Sequence, residues 1–209
     1  MASTAFVLLT ALVLPAWAAP AHAVGPEGFS GISVWAGPAR TALDWRGPGG
    51  RPTADWHATD LAYGAEWTAA TPLSPVWSAG IRGGAWLNQA RIDEEEAGRR
   101  LQASVPWGGE LRGALTRRLD AGTEVEISVG WGASRIEVKT ERSDGSWVSS
   151  GAVNGGMVYG VAGQRMMDAG WALRAELVSI RPSHLTWSDG QRLTATVTQL
   201  RLGAVYRFP

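Results

Sequence analysis

Only two histidines, His57 and His184, lie beyond an apolar N-terminal leader, and the 209-residue chain has no cysteine. Thiol catalysis, disulfides and Cys-ligated metal or iron–sulfur centres are therefore excluded. A metal site needs three or four convergent ligands. Two distant histidines, with Asp60 or Asp189 nearby, do not supply them, and neither metal nor cofactor is expected. The stretch best suited to nucleophilic chemistry is His184-Leu185-Thr186, with Ser183 and Ser188 close by. There a hydroxyl would attack and an imidazole would take its proton, provided that a carboxylate orients the ring within hydrogen-bond reach. His184 and Thr186 are thus the catalytic candidates, although Pro182 beside them would interrupt strand pairing. Asp93-Glu94-Glu95-Glu96 reads as a solvated loop tip, or as a contact for a divalent cation or a partner. Arg40, Arg46 and Arg51 are either solubilising loop residues or phosphate contacts through bidentate pairing. Gly47-Pro48-Gly49-Gly50 is no phosphate loop, because no helix follows it.

A second set of charges is more regular. Glu66, Arg82, Glu110, Arg112, Glu126, Arg174, Glu176 and Arg201 all fall on the polar side of alternating stretches, at similar distances from short turns. Charges withdrawn from water persist only when paired. Four carboxylates and four guanidiniums in one layer could neutralise each other.

The elements that would position them show period-two alternation, the signature of strands with one apolar face. Leu200, Leu202, Ala204, Tyr206 and Phe208 share one face, opposite Gln199, Arg201, Gly203 and Arg207. Val125, Ile127, Val129, Trp131 and Ala133 alternate with Glu126, Ser128, Gly130, Gly132 and Ser134. Leu101, Ala103, Val105, Trp107 and Leu111 form a third apolar face, opposite Gln102, Ser104, Gly108, Glu110 and Arg112. Leu61, Tyr63, Ala65 and Trp67 form a fourth, and weaker versions run through 29–37, 77–88, 156–166 and 171–180. This predicts eight strands. Short links at 71–75, 119–123 and 167–170 alternate with longer polar segments at 37–59, 89–99, 139–147 and 181–191, which read as loops.

Residues 1–23 carry no Lys, Arg, Asp or Glu and end in Ala21-His22-Ala23, the pattern of a secretory signal peptide. Ala16-Trp17-Ala18 offers a second cleavage site, after Ala18. The expected domains are a signal at 1–23 and a single domain at 24–209. Lys+Arg and Asp+Glu both number 19, which gives no electrostatic reason to expect nucleic acid.

Two eight-strand architectures compete. A soluble barrel turns its apolar face inward around a ligand, and its outer face is solvated. A membrane barrel turns the apolar face toward lipid, flanked by aromatic girdles. The polar positions hold mostly small residues and the chain has one lysine, Lys139, which suits a narrow lumen better than a solvated face. Trp67, Trp77, Trp171, Tyr206 and Phe208 fall near the short turns, while Tyr63, Trp107, Trp131 and Tyr159 fall farther from them. All nine are candidate lipid-interface aromatics.

On these residues the mature chain resembles the small eight-stranded bacterial outer-membrane barrels, of the type of the OmpA transmembrane domain and OmpX. Its most specific element is the final strand, in which Leu202, Ala204, Tyr206 and Phe208 look like the assembly signal of that family, here followed by Pro209. The resemblance implies an all-β, eight-stranded antiparallel up-and-down transmembrane β-barrel in the outer membrane of a Gram-negative cell. It further implies contact with outer-membrane lipids and lipopolysaccharide, with the barrel assembly machinery, and with an extracellular ligand through the loops. The expected role is structural or surface-interactive: membrane integrity, adhesion or immune evasion. The alternatives are a narrow porin-like channel and an enzyme like the lipid A deacylases. Those enzymes use a His-x-Ser pair and a Glu near the C-terminus, where this chain has His184-Leu185-Thr186.

Overall fold

The structure, a computed structural model, describes residues 28–47, 52–96, 99–141, 144–168, 170–182, 184–186, 190 and 192–208. The leader, Arg51, Ser183, Ser188, Asp189 and Pro209 lie outside the described residues.

Among the described residues the regular elements are ten antiparallel strands: β1 (Phe29–Arg46), β2 (Pro52–Pro72), β3 (Trp77–Asn88), β4 (Arg91–Glu96), β5 (Arg99–Arg118), β6 (Thr123–Glu141), β7 (Trp147–Asp168), β8 (Trp171–Pro182), β9 (Leu185–Thr186) and β10 (Arg192–Phe208). Neighbours in sequence pair as an up-and-down meander, and β1 pairs with β10 from Ser30↔Phe208 to Arg46↔Arg192, which closes the sheet. Closure removes the two edges an open sheet would leave unpaired. The barrel has eight positions, because β4 extends the path of β3 and β9 that of β8. Both ends of the described chain lie with the short turns. One of these is an Asx turn, in which Asp120 accepts hydrogen bonds from the backbone N–H groups of Gly122 (2.8 Å) and Thr123 (2.7 Å). These bonds, that from Gly122 first, hold its carboxyl below the usual aspartate range.

Much of what reads as loop in the sequence is strand. β1 runs through 37–46, β2 begins at Pro52, and Asp93-Glu94-Glu95-Glu96 lies in β4, paired with β5 rather than at a loop tip. The reason is an exchange of polarity between the two faces of the same strand. In β10, Leu193, Ala195 and Val197 point inward and are fully buried, with Thr194, Thr196 and Thr198 outside. Lower on that inward face stand Gln199 and Arg201, and the outward face becomes Leu200 and Leu202. β6 behaves alike: Ile136 and Val138 are buried above, and Glu126 and Ser128 below. The lower half is apolar outside and charged inside. The upper half is the reverse, as in a protein surrounded by water.

The outward apolar band includes Val34, Ile81, Leu111, Ile127, Trp131, Val161, Leu177 and Leu202, all large and exposed. From Val125 to Ala133 a strand tilted ~40° climbs roughly 20 Å, close to the ~25 Å apolar height of a membrane barrel. The chain is an all-β, eight-stranded, up-and-down transmembrane barrel.

One face assignment from the sequence is overturned. Leu101, Ala103 and Val105 were expected to share the lipid face of Trp107 and Leu111, yet they are buried inside. The register against β6 slips between Ser104 and Trp107, so three steps of β5 oppose two of β6. This β-bulge, at Val105-Pro106, moves everything above it to the opposite face.

Above the band, among the described residues, no ladder joins β2 to β4 or β7 to β9, so the barrel divides into two sheets, β9-β10-β1-β2 and β4-β5-β6-β7. A single apolar cluster fills the space inside them, with Leu43, Leu193 and Val197 from one sheet and Ile92, Leu101, Val105, Ile136 and Val138 from the other. Asn88 Nδ2 donates to Thr41 Oγ1 across this core at 2.9 Å, and Trp45 and Trp56 pack edge to face against it, with ring centroids 5.9 Å apart.

Candidate functional site

Glu66 on β2, Arg82 on β3, Glu110 and Arg112 on β5, Glu126 on β6, Arg174 and Glu176 on β8, and Arg201 on β10 all point into the lower lumen, and none is more than 7% exposed. They form a closed ring of alternating charge. Arg82 bridges Glu66 (2.8 Å) and Glu126 (2.7 Å). Arg112 bridges Glu66 (2.8 Å) and Glu176 (2.7 Å). Arg174 bridges Glu176 (2.9 Å) and Glu126 (2.7 Å), which completes the circuit. Glu110 joins it through Arg112 (3.1 Å) and holds Arg201 at 2.6 Å. Thr68 and Ser128 accept further hydrogen bonds from Arg82 and Arg112, each at 2.8 Å. β7 contributes space instead of charge: Arg112 Nη1 lies 2.5 Å from where a Gly160 side chain would begin.

The lumen is filled in layers, not by the charged network alone. Arg201 lies under the Trp35 ring, 4.3 Å from its centroid, and donates to Gln199 Oε1 at 2.7 and 2.9 Å. Trp35 belongs to the apolar core above, so a cation–π contact joins the layers. A third, smaller group lies toward the short turns. Arg207 pairs with Glu124 and sits 4.1 Å from the Phe29 ring centroid, and Gln164 donates to Glu124 at 2.6 Å. The sequence pattern does not single out Glu124 and Gln164, although Glu124 shares the inward parity of Glu126. The cavity beside Glu66, Arg174, Glu176 and Arg201 measures ≈ 10 Å³, about the least that holds one water. Purified barrel in planar bilayers should accordingly show no single-channel steps; discrete, stable openings would mean that the ring and the core above it part.

The outer aromatics divide by height. Trp171, Tyr206 and Phe208 form a cluster at the short-turn end, with centroids 4.9 and 5.2 Å apart, and Arg117 lies 5.6 Å from the Trp77 ring centroid. Trp67 packs flat over Gly83 and is half-buried on the lower band. Tyr63, Trp131 and Tyr159 are exposed near the upper rim, with Trp107 half-buried beside them. Leu202, Ala204, Tyr206 and Phe208 share the outward face of β10.

These features (closure at eight strands, an apolar exterior and a paired-charge interior) decide the architecture. The fold is that of the small outer-membrane barrels. No family model matches the chain, and no curated protein sequence does. Among solved structures it is similar to Ail, the attachment invasion locus protein of Yersinia pestis, with a TM-score of 0.47 and 17% identity over 87% of this chain and 99% of that one. It is also similar to the outer-membrane protease OmpT of Escherichia coli, with a TM-score of 0.49 and 10% identity over 86% and 97%. Neisserial surface protein A gives 0.42 and 8% over 85% and 97%. These are likenesses of shape.

The remaining candidates lie above the band and do not converge. His184 and Thr186 are exposed, and among the described residues no hydrogen bond joins either to the other or to a carboxylate, so no proton relay is formed. His57 is exposed on β2. Arg40 is exposed and Arg46 is paired with Asp44 at 2.9 Å. Asp93 is gripped by Arg100 (2.8 Å) and by Gln102 (3.2 Å), and the Arg100 hydrogen bond holds its carboxyl below the usual range. No cluster of three metal-binding side chains occurs among the described residues.

What the upper half does offer is a sheet edge. Beyond Gly156, β7 is paired with β6 on one side, and among the described residues nothing pairs with its other side. From Trp147 to Gly156 this edge carries no charge and no proline, and Trp147, Val148 and Val153 are exposed. The opposite edge of the same sheet, β4, carries Asp93, Glu94 and Glu95. Charges and prolines are the ordinary means by which edges are kept from pairing with foreign strands. β4 has charges. β7 has neither.

Proposed function

We propose that this protein is exported by its N-terminal signal and resides in the bacterial outer membrane. Its role is surface interaction, in the sense of adhesion or immune evasion, and not catalysis or conduction. The observation that carries this is the uncharged, unpaired edge of β7, raised above the apolar band on a head with its own core. Such an edge takes up an extended segment of another protein by strand addition: main-chain hydrogen bonds supply affinity and alternate side chains supply selectivity. The exposed Trp147 at its tip is an anchor of the type that dominates interface energetics. The charge ring and upper core serve this role by holding the head rigid.

The test uses Gram-negative cells that carry the protein, cells that lack it, and cells with Ser149→Lys and Val153→Lys together. Both positions face outward along the β7 edge. Retention on a surface coated with serum proteins should rise severalfold with the wild-type chain and return to background with the double variant. The heat-modifiable band on a gel should be equal in both. Equal retention with and without the protein would refute the role, and wild-type retention by the double variant would refute the edge.

A further inference from the structure

Several glycines of the outward band sit where a neighbour already fills the place of a side chain. Trp131 Nε1 lies 2.5 Å from where a Gly155 Cβ would be, and Trp67 Nε1 equally close to that of Gly83. Gly163 is different. It is exposed on the outward face of β7, and a Cβ there would meet nothing within 4 Å. Its register partners are Val125 on β6 and Ala175 on β8, and Ala175 pairs in turn with Leu202 on β10. Gly163 and Ala175 therefore form a low floor between Val125 and Leu202, with Leu173 toward the short turns, around a groove of ≈ 450 Å³. Arg165, the next outward residue toward those turns, closes the lower end; it is exposed and donates to Thr123 Oγ1 at 3.1 Å.

We propose that this groove is a binding site for one glycerophospholipid of the leaflet at the short-turn end, which in barrels of this architecture is the periplasmic one. Its phosphate rests on Arg165, and one acyl chain runs upward over Gly163 and Ala175. A guanidinium is suited to a phosphate by charge and by its fork of donors. Arg165 stands where headgroups lie, one strand from the exposed Trp171. Charge also selects against a second copy of this chain. Apart from Asp120, the exposed carboxylate of the neighbouring turn that Arg165 already acts on, no outward residue of the band with a described side chain is acidic, so a partner barrel would bring Arg165 no further anion. The proposal depends on the outward band facing lipid, and not on any role of the β7 edge.

Native mass spectrometry of the full-length barrel, released from detergent and titrated with palmitoyl-oleoyl phosphatidylglycerol, tests it. The wild-type chain should retain a single lipid adduct that outlasts the rest as collision energy rises. Gly163→Leu should abolish that adduct and Arg165→Gln should weaken it. Gly113→Leu, at another open outward glycine, should leave it intact. Heat-modifiability reports the fold of each variant and, for the wild-type chain, the membrane reading itself. A wild-type barrel with no preferred adduct, or a folded Gly163→Leu barrel that keeps it, would overturn the proposal. So would a wild-type dimer that Gly163→Leu converts to monomer, which would assign the groove to a second copy.

Discussion

Replacing Arg112 with Met should destabilise the barrel by about 3–5 kcal/mol, the cost of removing one member of a buried ion pair. Arg112 contacts three carboxylates, Glu66, Glu176 and Glu110, within 3.1 Å, and also Ser128. Its loss opens the ring at its most connected point. Arg82, Arg174 and Arg201 remain, so each of those carboxylates keeps one cation, but the layer then holds one more negative charge than positive. The cavity beside the ring, ≈ 10 Å³, leaves room for about one water to solvate the excess. Ser128→Ala removes a hydrogen bond from the same guanidinium and should cost only about 1 kcal/mol. Adding Glu66→Gln to Arg112→Met restores neutrality and should recover part of the loss, a coupling expected of residues in one network. Urea unfolding of the barrel in liposomes, followed by tryptophan fluorescence, measures all three against the wild-type chain. An Arg112→Met cost no larger than that of Ser128→Ala would mean that the ring is not what holds the lower lumen together.

Replacing Leu202 with Arg should cost about 2–4 kcal/mol, the depth-dependent penalty for a cation on the lipid face of a membrane barrel. Leu202 is 54% exposed, so by accessibility alone it is an ordinary surface site. In water, Arg there would change stability by no more than about 0.5 kcal/mol. Thr196 provides the comparison: it faces outward on the same strand, above the level where the two faces exchange polarity. Thr196→Arg should be nearly neutral in the same unfolding experiment. Equal costs at the two sites would place both in the same solvent.

The lower barrel was legible because its alternation is strong and unbroken. Val125 to Ala133 and Leu200 to Phe208 each announce a strand with one apolar face, and the parity of Glu126 and Arg201 puts them on the other. The same parity brings charges far apart in sequence into one layer, and these are the residues of the ring. The head was obscured for two physical reasons. Its strands continue those of the barrel with the apolar phase reversed, so Leu193, Ala195 and Val197 do not extend the pattern of Leu200 and Leu202 and the segment reads as irregular. In β5 the phase is reversed again by the bulge, so that Leu101, Ala103 and Val105 look continuous with Trp107 and Leu111 although they occupy opposite faces. Pro106, inside an otherwise regular strand, is the local sign of that bulge. The open edge of β7 has no signature in one sequence, because whether a strand has a neighbour depends on where β8 turns away.

The central claim is that the outer face passes from hydrocarbon to water along uninterrupted strands. The chain has no native cysteine, so one introduced cysteine carries one unambiguous nitroxide label. Power-saturation electron paramagnetic resonance of the barrel in bilayers should be read at Ile127, Leu177 and Leu202, and at Lys139 and Thr196. The first three labels should collide freely with oxygen and be shielded from a water-soluble nickel chelate, and the last two should show the reverse. Free access of nickel at Ile127 and Leu202 would contradict the account at its root.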